Sequence, residues 1–271
     1  MTAARPTRDA STRPLVVENL VAGYGETTIL EGVSLTVDAG EILVVLGATG
    51  SGKSTLLRCV VGLVAARKGR VLIEGRDINA ADDIEREDIL RDVGLAFQEA
   101  ALLNSMTTAE NVALPIIEHW RLDEPTALML ARMRLARVGL AGAGAKMPSE
   151  LSGGMRKRAG IARAIALEPR LLLLDEPTAG LDPTTARAID ELVLSLKARG
   201  DMAIVCVTHE LGSINTITDR AIMLATGKVI ASGTLDEVRS NSDARVQAFF
   251  RRELLPQGKR QSLVDALEWR G

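Results

Sequence analysis

The strongest chemical signal in the sequence is a glycine-rich loop that ends in a lysine and a hydroxyl residue. It matches the pattern G-x-x-x-x-G-K-[ST], follows the apolar run Ile42–Leu46 and precedes a segment of helical character. Lys53 would reach the β- and γ-phosphates of a nucleotide, and Ser54 would offer its hydroxyl to Mg²⁺. The loop therefore predicts binding of a nucleoside triphosphate by residues Gly47, Ala48, Thr49, Gly50, Ser51, Gly52, Lys53, Ser54 and Thr55.

Two adjacent carboxylates, Asp175 and Glu176, follow a second apolar run at residues 171–174. An apolar run that ends in acids is typical of a strand buried in a parallel sheet, whose carboxyl edge is where ligands bind. We expect Asp175 to hold Mg²⁺ and Glu176 to polarise the attacking water, because phosphoryl transfer depends on positioning and charge neutralisation. Such a pair in isolation more often starts a loop or caps a helix, but its combination with Lys53 favours the chemical interpretation.

A second potential anion site lies at residues 151–155, Leu-Ser-Gly-Gly-Met, at the start of a basic helix. Ser152 and the N–H groups of Gly153 and Gly154 can form a nest at the N-terminus of that helix. This segment closely resembles the signature motif of the ABC transporter ATPases. The resemblance implies that two copies pack head to tail as a homodimer, so that the signature motif of each copy caps the ATP held by the phosphate loop of the other.

Four further positions match motifs of the same family, and the resemblance implies their roles. Tyr24 matches the aromatic residue that stacks on adenine, and Gln98 matches the glutamine that contacts Mg²⁺ and the attacking water and couples to the membrane partner. Asp182 belongs to the loop that crosses the dimer interface. His209 matches the histidine that senses the γ-phosphate. A lone histidine after a strand is usually structural, but the ordered set of motifs favours the functional interpretation.

Composition narrows the class of protein. The chain has 271 residues, of which 46% are hydrophobic, and it can bury a large core. A net charge of −2 argues against electrostatic binding of nucleic acid. No apolar run approaches the roughly 18 residues that a membrane-spanning helix needs. Cys59 and Cys206 fit buried reduced thiols. We expect a cytoplasmic protein that is peripheral on the inner face of the cell membrane.

The pattern of apolar runs predicts an α/β fold with a largely parallel sheet, which the resemblance identifies as the P-loop NTPase fold of ABC ATPases. A helical subdomain is predicted at about residues 99–165. In it, Thr107 and Glu110 form a capping-box pattern, and Pro125 starts a helix that runs through Val138 and that Gly139 can end. The predicted strands are residues 35–37, 42–46, 71–73, 93–97, 171–174, 204–207 and 221–224.

The ATPase domain is predicted to span residues 15–240, between a flexible tail at residues 1–14, which lacks the apolar segment of a signal peptide, and a C-terminal extension at residues 241–271. In that extension Val246, Phe249, Phe250 and Leu254 share one helical face, and Trp269 adds a further aromatic. Two interpretations stay open. The extension packs on its own domain, or it docks on another subunit.

Within the family, residues 97–107, 147–155 and 243–250 resemble the Mce-associated lipid-transport ATPases of the Mla type. Met155 stands where most of the superfamily has glutamine. This resemblance implies a phospholipid transporter with integral membrane permease subunits and Mce-type lipid-binding proteins. One alternative is the ATPase of a small-solute importer or drug exporter. Another is a soluble ABC protein acting on DNA or ribosomes, which a single phosphate loop and the absence of sustained heptads disfavour.

Overall fold

The computed structural model describes residues 13–198 and 200–251, which form the strands and helices of an α/β fold. No helix in these ranges has both the length and the apolar character needed to cross a bilayer. The strands are β1 (Leu15–Tyr24), β2 (Thr27–Val37), β3 (Ile42–Leu46), β4 (Ala66–Ile73), β5 (Arg76–Asp77), β6 (Val93–Ala96), β7 (Leu171–Asp175), β8 (Ala203–Val207), β9 (Arg220–Ala225) and β10 (Lys228–Gly233). The helices are α1 (Lys53–Val60), α2 (Asp83–Leu90), α3 (Thr108–Trp120), α4 (Glu124–Arg137), α5 (Gly153–Ala164), α6 (Pro183–Lys197), α7 (Leu211–Ile217), α8 (Leu235–Ser240) and α9 (Ala244–Arg251).

The main sheet has the order β10-β9-β3-β8-β7-β6. Its strands pair in parallel except for β10, which runs antiparallel to β9 at one edge. Every residue of β3 and β8 is buried, which explains why both read as continuous apolar runs rather than as alternating patterns. Because parallel strands end at the same edge, the loops after β3, β7 and β8 meet there. The predicted α/β fold with a largely parallel sheet is confirmed.

A second sheet, which was not predicted, has the order β2-β1-β4-β5 and is antiparallel throughout. Residues 35–37 and 71–73, which the alternating pattern had assigned to the parallel sheet, belong to this one. The β1 strand alternates buried and exposed residues, as expected where one face of a sheet is solvated. Gly23 permits the close approach of β1 to β2, since a Cβ there would lie 2.0 Å from the carbonyl oxygen of Thr27.

The segment between β6 and β7 contains α3, α4 and α5, which pack on each other and on the main sheet. Ile116, Leu135 and Ile161, one from each helix, belong to the same buried apolar cluster as Leu172 and Leu174 of β7. The helix ends follow the sequence signals. Thr107 and Glu110 form the predicted capping box, and the helix that contains Pro125 ends at Arg137, with Val138 as its C-cap and Gly139 in a left-handed conformation (φ 75°).

The described part of the C-terminal extension packs on its own domain. In α9, Val246 is fully buried and Phe250 is 9% exposed, and both belong to the core cluster of the main sheet. The Phe249 and Phe250 rings meet edge to face with centroids 5.2 Å apart, and the guanidinium of Arg239 lies 5.3 Å from the centroid of the Phe250 ring. Residues 244–251 therefore follow the first of the two interpretations, in which the extension packs on its own domain. The other predicted members, Leu254 and Trp269, lie outside the described residues.

Both cysteines are buried free thiols, as predicted. Burial raises the pKa of the Cys59 thiol to about 11 and also raises the pKa of Cys206. The thiolate is the reactive form, and a raised pKa disfavours it. Both side chains therefore serve as small apolar groups of the core.

The packing of α9 leads to a prediction about stability. Phe250→Ala should lower the free energy of unfolding by about 3 kcal/mol, as is typical when a buried phenylalanine is truncated. Met133→Ala, on an exposed face of α4, should change it by no more than about 0.5 kcal/mol. Urea denaturation of the full-length chain compares the two variants. Equal stability of both variants would contradict self-packing and favour docking on another subunit.

Candidate nucleotide-binding and hydrolysis site

The predicted phosphate loop lies between β3 and α1 and is shaped by glycines with left-handed backbones. The φ angle is 149° at Gly47, 78° at Gly50 and 107° at Gly52, which precedes α1. A Cβ at Gly47 would lie 2.4 Å from the carbonyl oxygen of Leu224, so the loop accepts only glycine there. The first N–H groups of a helix lack intrahelical partners. The loop and the start of α1 together therefore offer backbone donors suited to phosphate oxygens.

The lysine of the loop is folded against the loop itself. Lys53 is 8% exposed, and its Nζ donates to the carbonyl oxygens of Gly47 at 2.8 Å and Ala48 at 3.0 Å. Burial lowers the pKa of the Lys53 ammonium, while the charges of Glu176 and Asp175 raise it. Among the described residues, no ion pair joins the Lys53 ammonium to either carboxylate. The Lys53 ammonium can therefore replace its two carbonyl acceptors with phosphate oxygens.

Two oxygen groups lie together where α1 begins and β7 ends. The Ser54 hydroxyl donates to Oδ1 of Asp175 at 3.4 Å. Burial is the largest cause that raises the pKa of Asp175, followed by the charge of Glu176; Ser54, Arg58 and Lys53 lower it. A hydroxyl beside a carboxylate fits Mg²⁺, which takes one or two protein oxygens together with phosphate and water. The arrangement brings together two of the three predicted metal ligands.

Glu176 follows β7 and is held by β8. Its N–H donates to the carbonyl oxygen of Val207 at 2.9 Å, and its φ of 50° is left-handed, which is rare for a residue other than glycine. The side chain is 8% exposed, and Oε1 lies 2.7 Å from Nδ1 of His209. The other oxygen, Oε2, is buried and has no hydrogen-bond partner among the described residues. One carboxylate oxygen is therefore fixed by histidine and the other is free to accept.

Gln98, the third predicted metal ligand, follows β6, the strand that pairs in parallel with β7. It is exposed and lines a cavity of about 220 Å³ together with Gly153, Lys157 and residues 179–181. Within residues 13–198 and 200–251, no hydrogen bond joins Gln98 to Ser54 or Asp175. The structure places this glutamine between the helical segment and the loop after β7.

Tyr24 lies at the end of β1, beside the helix that follows the phosphate loop. Its ring is 46% exposed, and its hydroxyl accepts a hydrogen bond from Arg58 of α1 at 2.9 Å. This bond is the largest cause that lowers the pKa of Tyr24. An exposed aromatic ring fixed by its hydroxyl next to α1 is suited to stacking on a flat base.

The signature residues and Asp182 form a second group. Ser152 caps α5, with its hydroxyl accepting from the N–H of Met155 at 3.3 Å, and Asp182 caps α6 by accepting from the N–H groups of Thr184 and Thr185 at 3.1 and 3.0 Å. These helix starts are close, since a Cβ at Gly154 would lie 2.4 Å from Cγ2 of Thr185. In the described part of the chain, no hydrogen bond or ion pair links Ser152, Gly153 or Gly154 to residues 47–55.

Two basic residues of α5, Lys157 and Arg163, contact the site although no motif of the sequence pointed to them. Nζ of Lys157 donates to the main-chain carbonyl oxygen of Glu176 at 2.9 Å. The guanidinium of Arg163 donates to the carbonyl oxygens of Ala101 at 2.8 Å and Ala100 at 3.0 Å, and both alanines have left-handed backbones. Helical spacing could have indicated Lys157, because residue 157 lies about one turn after Gly153 of the signature motif, on the same face of α5.

Comparisons with known proteins identify the family to which these motifs belong. The family model described as ABC transporter matches residues 30–179, more than half of the chain. The intermembrane phospholipid transport system ATP-binding protein MlaF of Haemophilus influenzae is 38% identical over 237 residues, which are 88% of this chain and 90% of that protein. The methionine import ATP-binding protein MetN of Rhizobium johnstonii is 42% identical over 224 residues, which are 82% of this chain and 61% of that protein.

A solved structure, the dimeric post-hydrolysis state of the ATP-binding cassette MJ0796 bound to ADP and Pi, superposes with a TM-score of 0.74. It is 33% identical, and the match covers 82% of this chain and 98% of that one. The phosphate loop, the acidic strand end and the capped start of α5 thus lie in a fold whose relatives bind and hydrolyse ATP. The chain belongs to the ABC transporter family, as one of its ATP-binding, ATP-hydrolysing subunits.

Proposed function

We propose that this ATPase uses Glu176 as its general base, works as a head-to-tail homodimer and powers phospholipid transport between bacterial membranes. The observation that carries the catalytic assignment is the state of the Glu176 carboxylate. It is buried, one oxygen is fixed by His209, and the other has no partner among the described residues. A general base must lie within hydrogen-bond reach of the water it activates, and Oε2 is the atom free to accept that proton.

Binding of the phosphates is assigned to the loop and its lysine. Lys53 would exchange the carbonyl oxygens of Gly47 and Ala48 for the β- and γ-phosphates, while the backbone N–H groups of residues 47–55 cradle the chain of phosphates. Ser54 and Asp175 would hold Mg²⁺, with Gln98 as a further ligand. The metal, when bound, supplies neutralisation of phosphate charge. Tyr24 would stack on adenine.

His209 is assigned the role of sensing the γ-phosphate, because it contacts Glu176, the proposed base. Its ring is half exposed, so one side can meet the nucleotide while Nδ1 stays 2.7 Å from Oε1 of Glu176. A hydrogen bond from this ring fixes the orientation of the carboxylate. The pair can therefore relate the presence of the γ-phosphate to the alignment of the base.

The homodimer follows from the separation of the two anion-binding helix starts. In the described residues of one chain, Ser152, Gly153 and Gly154 have no hydrogen bond to the phosphate loop, and Asp182 lies beside them. A second copy, turned head to tail, would bring these residues to the nucleotide on the phosphate loop of the first copy. The similar cassette MJ0796 forms a dimer in its post-hydrolysis state, which supports this arrangement.

The transport substrate is proposed from the relatives and from the sequence. MlaF of Haemophilus influenzae, by its name, serves intermembrane phospholipid transport. The stretches at residues 97–107, 147–155 and 243–250 resemble the same group. We assign integral membrane permease subunits and Mce-type lipid-binding proteins as partners, and the inner face of the cell membrane as the location. Similarity to MetN keeps methionine import as the second candidate.

Replacement of the base tests the catalytic assignment. Glu176→Gln should lower ATP turnover by at least about 100-fold while ATP binding persists, because the amide cannot accept a proton from water. Steady-state phosphate release and nucleotide binding by the full-length chain measure the two properties. Glu210→Gln, which alters the exposed neighbour of His209, serves as the control and should retain most activity. Near-normal hydrolysis by Glu176→Gln would exclude Glu176 as the base.

Two inactivating substitutions in a covalently linked dimer test the shared site. Lys53→Ala damages the site of its own phosphate loop, and Ser152→Arg damages whichever site its signature motif completes. If sites form between copies, placing the two substitutions on opposite copies leaves one intact site, and placing both on one copy leaves none. The amount of ATP trapped per dimer, measured with Glu176→Gln in both copies, should therefore be higher when the two substitutions lie on opposite copies. The reverse order would show that each copy completes its own site.

Reconstitution tests the proposed substrate. The ATPase, isolated with the membrane subunits that co-purify with it, should transfer fluorescent phospholipid between vesicles only with hydrolysable ATP. The same complex carrying Glu176→Gln should not, because transport would draw on hydrolysis at that residue. Uptake of methionine into vesicles is measured in parallel. Uptake driven by ATP without lipid transfer would contradict the phospholipid assignment and leave the ATPase assignment intact.

A further inference from the structure

We propose that Lys157 of the signature helix is a positioning residue for hydrolysis, which holds the main chain of Glu176 and thereby aims its carboxylate. This inference rests on the proposed role of Glu176 as the base. Lys157 itself is assigned no contact with nucleotide or water. It acts through the backbone of Glu176, the proposed base.

The contact falls on one of the two peptide units that flank the Cα of Glu176 and together set the position of its carboxylate. The carbonyl oxygen of Glu176 accepts from Nζ of Lys157 at 2.9 Å and from the N–H of Ala179 at 3.3 Å. The N–H of Glu176 is bound to β8 through Val207. The φ angle of Glu176 is 50°, a backbone conformation that residues other than glycine avoid unless the surrounding structure fixes it. Lys157 supplies the only charged donor among these restraints.

The contact is specific to Lys157 among the three consecutive basic residues of α5. Arg156 donates to the carbonyl oxygen of Leu151, in the segment before the helix, and Arg158 has no hydrogen bond to residue 176 among the described residues. Lys157 is half-buried, and in the described part of the chain the only hydrogen bond of its ammonium is the one to Glu176. Burial lowers the pKa of its ammonium, while the charges of Glu99, Glu176 and Asp175 raise it. A half-buried ammonium needs such an acceptor, which favours a persistent contact.

The same helix also holds the loop that carries Gln98. Arg163, about two turns further along α5, binds the carbonyl oxygens of Ala100 and Ala101. Gly160 lets that loop approach, because a Cβ there would lie 3.1 Å from Cβ of Ala100. A displacement of α5 would therefore change the backbone of Glu176 and the Gln98 loop together. Lys157 is the member of this set that reaches the base.

The positioning role predicts a particular pattern of kinetics. Lys157→Met should lower kcat for ATP hydrolysis by about tenfold, the order expected for loss of one charged hydrogen bond, and leave KM for ATP within about twofold. Lys157→Arg, which keeps a charged donor, should restore most of kcat. Arg158→Met removes a neighbouring cation of the same helix and should leave kcat within about twofold. A rise in KM with unchanged kcat would instead identify Lys157 as a nucleotide contact and overturn the proposal.

A double-mutant cycle separates positioning from general damage. If Lys157 acts only by aiming the base, Lys157→Met should cause no further loss in single-turnover hydrolysis when Glu176→Gln is already present. Equal tenfold losses in both backgrounds would show a structural effect independent of the carboxylate, and would overturn the proposal. The cycle also distinguishes the two inferences. Normal activity of Glu176→Gln contradicts the proposed base, whereas normal activity of Lys157→Met beside an impaired Glu176→Gln contradicts only the role of Lys157.

Discussion

Buried charge at the carboxyl edge of the main sheet is the constraint on which the other features of the structure depend. Lys53 and Glu176 are each 8% exposed, and Asp175 is partly buried beside them. Removing such groups from water is costly unless opposite charge or hydrogen bonds compensate. The compensation within the described residues is incomplete, because Lys53 binds loop carbonyls rather than the carboxylates, and Oε2 of Glu176 has no partner. An edge built in this way is suited to the negative phosphate oxygens of ATP, and the proposed Mg²⁺ would place a cation beside its carboxylates.

The sheet fixes these charges through the register of its strands. Asp175 of β7 lies opposite Val207 of β8, and the next N–H, that of Glu176, donates to the carbonyl oxygen of the same valine. His209 follows Val207 by two residues. The 2.7 Å contact between Glu176 and His209 is therefore a consequence of how β7 and β8 pair. The strands themselves are almost wholly apolar, which places their polar residues only where they end.

Local signals and tertiary contacts account for what the sequence could and could not predict. The phosphate loop, the capping box at Thr107 and the end of α4 at Gly139 depend on a few consecutive residues, and all could be predicted. The antiparallel sheet depends on pairing of β1 with β4, more than 40 residues away, and was missed. The bond from Lys157 to a main-chain oxygen depends on how α5 packs. A main-chain acceptor leaves no trace in the sequence.

Three residues with separate contacts, Ser152, Lys157 and Arg163, lie along the one helix α5 or at its start. Its cap, Ser152, is proposed to meet the nucleotide of the other copy, while Lys157 donates to the main chain of Glu176 and Arg163 donates to the main chain of the Gln98 loop. An α-helix rises about 1.5 Å per residue, so these points lie along one stiff rod roughly 16 Å long. A stiff helix that shifts as a rigid body along its axis carries all three points with it. In the proposed homodimer, such a shift would couple closure of the partner's site on ATP to the alignment of Glu176 and to the position of the Gln98 loop, without a change in the fold.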